Sequence, residues 1–399
     1  MISHSGIPPV GLILSGGGAR AAYQVGVLRA IAKMLPQRSV NPFQIICGTS
    51  AGAINAAGLA SNADRFDYAV AQLTRAWGNL HVRHVYRADL PRLAQVGYRW
   101  LAALLGGGFH KPQPVSLLDS TPLGELLQRF IDFDGIRQGI DKGHLDALCI
   151  TASSYTSGDS ISFFQGRESM QPWRRARRVG RRTEFGILHV LASCALPFLF
   201  PPVRIDDEHF GDGSMHQLAP ISAALHLGAR RVLVIGVGSP GRRNLNAEAP
   251  SWPSLAQIAG HMLDTIFIDT LDTDLERLQR VNQTIELIPE AIREQHGFAL
   301  HAVESLVIRP TEHLDALAAA HARELPRTIR FMMRALGLLD PNGARLLSYL
   351  LFERGYCREL MRLGFADAVA MRTEILNFLD PAAKRGISAL QESCTSLTA

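Results

Sequence analysis

The chain has 399 residues, 47% hydrophobic and 19% charged, an ordinary globular composition able to bury a sizeable core in one large or two moderate domains. A formal charge of +5 and a pI near 9.1 suit an anionic partner, but without a localised patch they describe only a solvated basic exterior. Five cysteines, Cys47, Cys149, Cys194, Cys357 and Cys394, are odd in number, widely spaced and without a C-x-x-C pair; this argues against zinc or redox motifs and fits reduced core residues of a cytoplasmic protein.

The opening MISHSGIPPV lacks a basic region followed by an apolar segment of signal-peptide length, so export by that route is not expected. Residues 10–14 read as a buried strand and 21–35 as a helix, with Val25, Leu28, Ile31, Ala32 and Leu35 at helical spacing. A second apolar run, 43–47, leads through GTSAG into the small-residue helix AINAAGLA. Strand, crossover helix and strand of this length form a right-handed parallel unit, so both post-strand loops emerge at the carboxyl edge. With neighbouring strands ~4.8 Å apart, Gly16, Gly17 and Gly18 should face Ser50.

Residues 64–113 are helical and loop-like, with a second glycine run at 106–108 that no strand precedes, a connection or lid edge. Residues 145–155 and 160–165 read as a hairpin joined by TSGD. WRRARRVGRR, at 173–182, then concentrates six arginines. In the apolar window 185–203, Pro197, Pro201 and Pro202 interrupt any helix, which predicts a short buried helix and a rigid turn rather than a membrane span. HFGDGS follows, then a helix at 220–227, a strand at 231–237 and a long amphipathic helical stretch at 254–282. Residues 284–288 and 306–308 read as late strands, and the pattern is helical from Leu314 onward, without internal repeats.

Gly16-Gly-Gly18-Ala-Arg-Ala21 formally satisfies G-x-G-x-x-G/A, but the next strand ends in Cys47-Gly48-Thr49 rather than in an acid that could hold a ribose. A P-loop requires a lysine that is not here. The third use of such a loop is an oxyanion hole, in which backbone N–H groups stabilise the charge of an acyl-transfer intermediate, each worth about 3 kcal/mol. Glycines let the main chain approach closely, and the following helix adds its positive end.

A nucleophile belongs nearby, and Gly48-Thr-Ser50-Ala-Gly52 is a G-x-S-x-G elbow in strand-to-helix context, with Ser50 exposed by the turn; the competing role for Ser50 is a helix N-cap. Its hydroxyl needs a base. A histidine in a Ser-Asp-His triad is one option, from among His216, His226, His261, His296, His301, His313 and His321, most of which fall on helical patterns. Asp212 is set apart by its Gly-flanked turn, although an Asp-Gly pair is also an ordinary turn signal.

G-G-G-x-R at Gly16 to Arg20, G-x-S-x-G at Gly48 to Gly52 and D-G-[AGS] at Asp212, Gly213 and Ser214 occur together, with ASCALPFLFPPV before the aspartate. In this the chain resembles the patatin-like phospholipase family, over about residues 8–240. SYLLFERGYCRELMRLGFADA also looks like bacterial members, on less specific motifs. The resemblance implies a three-layer α/β/α fold with a central, mostly parallel sheet: a catalytic core at 8–240, a long helix and late strands at 241–310 completing it, and a helical extension at 311–399.

It further implies a lipid acyl hydrolase of phospholipase A, lysophospholipase or esterase type. Ser50 would be the nucleophile, Asp212 its base, and the amides around Gly16, Gly17 and Gly18 the oxyanion hole, with an acyl-enzyme intermediate. Gly48, Gly52 and Gly213 support the turns. Arg20 either positions the glycine loop or attracts a phosphate. Expected partners are phospholipid, lysophospholipid or other acyl esters, with peripheral membrane contact; no cofactor, metal or nucleic acid is expected. Arg174, Arg175, Arg177 and Arg178 are either a solvated basic loop or contacts to anionic headgroups, with Trp173 favouring the interface. Two alternatives remain open: an esterase with the histidine triad, and a lipid-binding regulatory module with a vestigial dyad.

Overall fold

The computed structural model describes residues 8–87, 116–217, 219–238, 255–289, 292–293, 301–335 and 343–380; the glycine run at 106–108, His296 and Cys394 lie outside them. Among the described residues, ten strands form one sheet: β1 Val10–Leu14, β2 Ile45–Thr49, β3 Ala147–Ser154, β4 Ser160–Gly166, β5 Trp173–Arg175, β6 Arg178–Arg182, β7 Val203–Ile205, β8 Glu208–Asp212, β9 Arg231–Ile235 and β10 Glu304–Ile308. Their order is β10-β9-β1-β2-β3-β4-β6-β5, with β8 pairing β3 off this path and β7 pairing β8. From β10 to β3 every neighbour is parallel. Strands β1, β2 and β9 are buried along their whole length, as parallel strands covered on both faces must be.

The helices that position the site are α1 Ala22–Met34, α2 Ala51–Ala60, α3 Phe66–Gly78, α4 Thr121–Phe130, α5 Ile187–Ser193, α6 Ser222–His226, α7 Leu255–Asp264, α8 Thr270–Glu286, α9 Ala344–Leu350 and α10 Arg354–Ala370. Alternation along the strands sorts the side chains into two cores. Leu12, Leu14, Ile46, Leu148, Ile150 and Leu233 share one with Leu28, Ala57 and Leu73 of α1, α2 and α3. Ile13, Ile45, Cys47, Cys149, Val232 and Val234 share the other with Ala224 of α6 and Leu271 and Leu275 of α8. The result is the expected three layers, with a helical C-terminal region whose α10 lies along α1. Gly26 and Gly364 mark that crossing: a Cβ on Gly26 would strike the Met361 carbonyl, and one on Gly364 the Tyr23 carbonyl.

Residues 145–155 and 160–165 form the antiparallel pair β3 and β4, and the apolar window 185–203 is the short helix α5 with a turn after it. Its His189 is buried and hydrogen-bonded, and burial holds its pKa below the ordinary value, so the segment carries no charge there at neutral pH. Among the described residues, no helix is long and apolar enough to cross a membrane.

One expectation fails: 284–288 is not a strand. Residues 284–286 complete α8, because Leu271, Leu275, Leu278 and Ile285 continue a single buried helical face and the Thr284 hydroxyl donates to the Arg280 carbonyl one turn back. Beyond the helix Leu287 is 84% exposed. The long helical stretch is also interrupted by a π-turn, Thr265–Asp269, between α7 and α8.

Candidate active site

Strand β2 ends at Thr49, and α2 begins at Ala51. Ser50 joins them at φ 54° and ψ −129°, a conformation rarely adopted by a residue with a side chain and one that persists only where its surroundings enforce it. The sequence permits it because Gly48 and Gly52 have no Cβ: one on Gly52 would run into the Leu14 carbonyl at the end of β1. The elbow therefore rests directly on the strand that carries the glycine loop.

Asp212 is the last residue of β8, opposite Ala152 of β3, in the same sheet rim as the elbow. Gly213 turns the chain against the Thr151 carbonyl, where a side chain would not fit. The Ser50 hydroxyl donates to Asp212 Oδ2 at 2.6 Å, and Asp212 Oδ1 accepts the Ser214 N–H at 2.9 Å. Asp212 is 0% exposed. Burial pushes its carboxyl up to about 6, against hydrogen bonds from Ser50 and Ser214 that favour the charged form.

The glycine loop lies beside this pair. A Cβ on Gly16 would meet the Phe267 ring and the Ser214 hydroxyl, and one on Gly17 would meet Val237. Gly18 sits at φ 54°, pressed against the Tyr349 carbonyl, and opens the 3-10 turn that leads into α1. Arg20 is buried at 4% exposure. Its Nε donates to Ser348 Oγ at 2.7 Å and its Nη1 to Tyr349 Oη at 3.0 Å; it pairs with Asp264 at 3.4 Å and lies 3.9 Å from the Tyr349 ring centroid. These contacts tie the glycine loop to α7 and α9 and leave Arg20 pointing away from solvent.

Ser50, Asp212 and Gly18 open onto one cavity. Its walls are apolar: Trp77 of α3, Leu123 and Leu127 of α4, Leu196 and Phe200 after α5, and Phe267, Tyr349, Leu350 and Phe352 from later in the chain. Sequence reasoning does not reach these later residues: Tyr349, Leu350 and Phe352 are signalled only by the aromatic and leucine-rich run SYLLF, and Phe267 by nothing. Among the described residues, no histidine hydrogen-bonds Ser50 or Asp212; His226, for example, packs on Trp173. No group of three or more His, Cys, Asp or Glu among them could hold a metal ion.

The arginine run is a β-hairpin at the sheet edge. Arg181 pairs with Glu208 at 2.7 Å, and Arg182 donates to the carbonyls of Gly166, Arg167 and Met170. Arg174, Arg175, Arg177 and Arg178 surround its tip, the first three exposed. Arg178 is in register with Ser160, which is opposite Ser153 near the end of β3, so the tip lies at the same end of the sheet as Ser50. Trp173 does not face outward with them: its ring stacks on Phe164 at 5.3 Å.

A three-layer sheet with a serine elbow and a buried carboxylate in hydrogen-bond contact defines the class: α/β proteins with a polar pair at the sheet's carboxyl edge. The chain belongs to the patatin-like phospholipase family, whose model matches residues 12–225, more than half of its length. Over 223 residues it is 27% identical to a "cGAMP-activated phospholipase" of Pseudomonas aeruginosa, covering 56% of this chain and 57% of that one. Over 230 residues it is 23% identical to "Lysophospholipase NTE1" of Mycosarcoma maydis, 58% of this chain and 10% of that one. The chain thus spans little more than half of the first relative and a tenth of the second. Among solved structures it is similar to human GIVD cytosolic phospholipase A2, with 14% identity and a TM-score of 0.43 over 95% of this chain and 60% of that one.

Proposed function

We propose that the chain is a lipid acyl hydrolase. The observation that carries this reading is the 2.6 Å hydrogen bond from the Ser50 hydroxyl to a buried Asp212, at the mouth of an apolar cavity. Ser50 Oγ attacks the ester carbonyl as Asp212 takes its proton, and the tetrahedral oxyanion turns toward the amides around Gly17 and Gly18. Asp212 returns the proton to the departing alcohol, leaving an acyl-serine. Water then attacks that ester, giving its proton to Asp212 and releasing the fatty acid, and the proton returns to Ser50. A carboxyl at about 6 suits both roles, ionised at neutral pH yet acidic enough when protonated to serve the leaving group.

The apolar walls fit an acyl chain, and the names of the phospholipase and lysophospholipase relatives support glycerophospholipid or lysophospholipid esters as substrates. The exposed tip with Arg174, Arg175 and Arg177 lies at the same rim, where it would meet anionic headgroups. The scheme needs no cofactor. Incubation with phospholipids, lysophospholipids and neutral lipids, followed by mass spectrometry, should show free fatty acid release that a Ser50-directed fluorophosphonate blocks. Absence of both product and Ser50 adduct in folded protein would overturn the reading and favour a lipid-binding module.

A further inference from the structure

The turn at the end of α5 touches both halves of the polar pair. Ser193, 0% exposed, accepts the Ser50 N–H on its Oγ at 2.9 Å and donates its own proton to the Thr151 carbonyl at 2.6 Å. Two residues later, the Ala195 carbonyl accepts the Asp212 N–H at 2.8 Å. We propose that Ser193 is a positioning residue for the reaction, and that the turn from Ser193 to Ala195 brackets nucleophile and base by their main chains, setting the separation between them.

Three features support the assignment. A serine at the end of a helix ordinarily bonds a carbonyl one turn back, whereas Ser193 reaches residues 143 and 42 positions away. A hydroxyl has one proton; because that proton goes to Thr151, a lone pair is left facing the Ser50 N–H. Thr151 is itself in register with Thr49 on the neighbouring strand, so the acceptor is fixed to the sheet on which the elbow stands. The positive φ of Ser50 needs such a restraint. Because the Ser50 amide is taken by Ser193, it is not free for the oxyanion, which leaves that work to amides of the glycine loop and of the start of α2.

The assignment rests on the hydrolase reading, so wild-type protein is measured first: no Ser50-dependent labelling or turnover there defeats that reading, not this one. Given an active wild type, Ser193→Ala should lower kcat by about 10- to 100-fold with KM within about threefold, and slow fluorophosphonate labelling of Ser50 by the same factor. Ser193→Thr, which keeps the hydroxyl, should recover most of kcat, and Ser193→Cys, a weak acceptor of similar size, should fall between. Gly26→Ala, which loosens the α1–α10 crossing against Met361 rather than a contact of the pair, should keep kcat at matched loss of melting temperature. Wild-type kcat in folded Ser193→Ala overturns the assignment; if that variant does not fold, a Cys variant as active as the Thr variant does so.

Discussion

Burial moves the Asp212 carboxyl from an ordinary 3.8 to about 6, which makes it both a usable base and a local cost to the fold. Between about pH 4 and 6 the native state holds a proton that the unfolded chain has already lost, so this group's contribution to stability falls as pH rises through that window. Above it, the charged native carboxylate stands roughly 3 kcal/mol worse than an unperturbed one. Asp212→Asn should therefore melt higher than wild type at pH 7.5, lose that advantage near pH 4, and abolish acyl hydrolysis. Melts at the two pH values together with a turnover assay check this; a variant less stable at pH 7.5 would mean the carboxylate stabilises the fold. Independently, kcat/KM should climb to a plateau as pH passes about 6, and a flat profile from pH 5 to 8 would remove Asp212 as the base. Gly16 to Arg20, Ser50 and Asp212 could be singled out from the sequence because each sits in a short pattern tied to one local backbone geometry. Ser193 lies in the ASCALPFLFPPV stretch, but its role is not legible there, since it comes from partners in the elbow and on β3.

The crossing of α1 and α10 depends on Gly26 and Gly364, each without room for a methyl group against the partner's backbone. Gly26→Ala should cost about 1–3 kcal/mol through overpacking, outweighing its gain in helix propensity, and urea unfolding would show whether the helices instead shift apart freely. The hairpin of β5 and β6 makes a different kind of claim. Arg181 is held by Glu208 and Arg182 by main-chain carbonyls, whereas Arg174, Arg175 and Arg177 are exposed at the tip, and each arginine near an anionic membrane is worth about 1 kcal/mol. Changing Arg174, Arg175, Arg177 and Arg178 to alanine should weaken binding to phosphatidylserine vesicles, and added salt should do the same to wild type. Binding indifferent to both would leave the tip a solvated edge. Periodicity revealed α1, β3 and β4 because their patterns are long or clearly alternating. It misleads at 284–288, where Ile285 alone continues the buried face of α8, and it gives no sign of β5 and β6, whose arginine-rich sequence has no apolar alternation.

Chain topology makes the cavity a joint product of distant segments. The elbow and its carboxylate come from residues before 225, but Phe267, Tyr349, Leu350 and Phe352 close the same space, β10 adds to the sheet beside β9, and Tyr349 holds Gly18 and Arg20 together. None of these couplings has a local signature, since Arg20 and Tyr349 are 329 residues apart. The cavity thus draws on all three segments that the resemblance implies, 8–240, 241–310 and 311–399. A chain ending at residue 310 should lose α9 and α10, expose the apolar faces of α1 and α3, and fail to label Ser50 with a fluorophosphonate. Tyr349→Phe in the full chain tests the same dependence more gently: it keeps the ring over the Arg20 guanidinium but removes the hydroxyl that accepts from Arg20 and donates to Asp264 at 2.7 Å. Its expected effect is a kcat lowered about tenfold, as one or two charge-assisted hydrogen bonds around the glycine loop are lost, with KM little changed. A folded, monomeric 1–310 piece that turns over lipid at the wild-type rate would show instead that the early segments build a complete site by themselves.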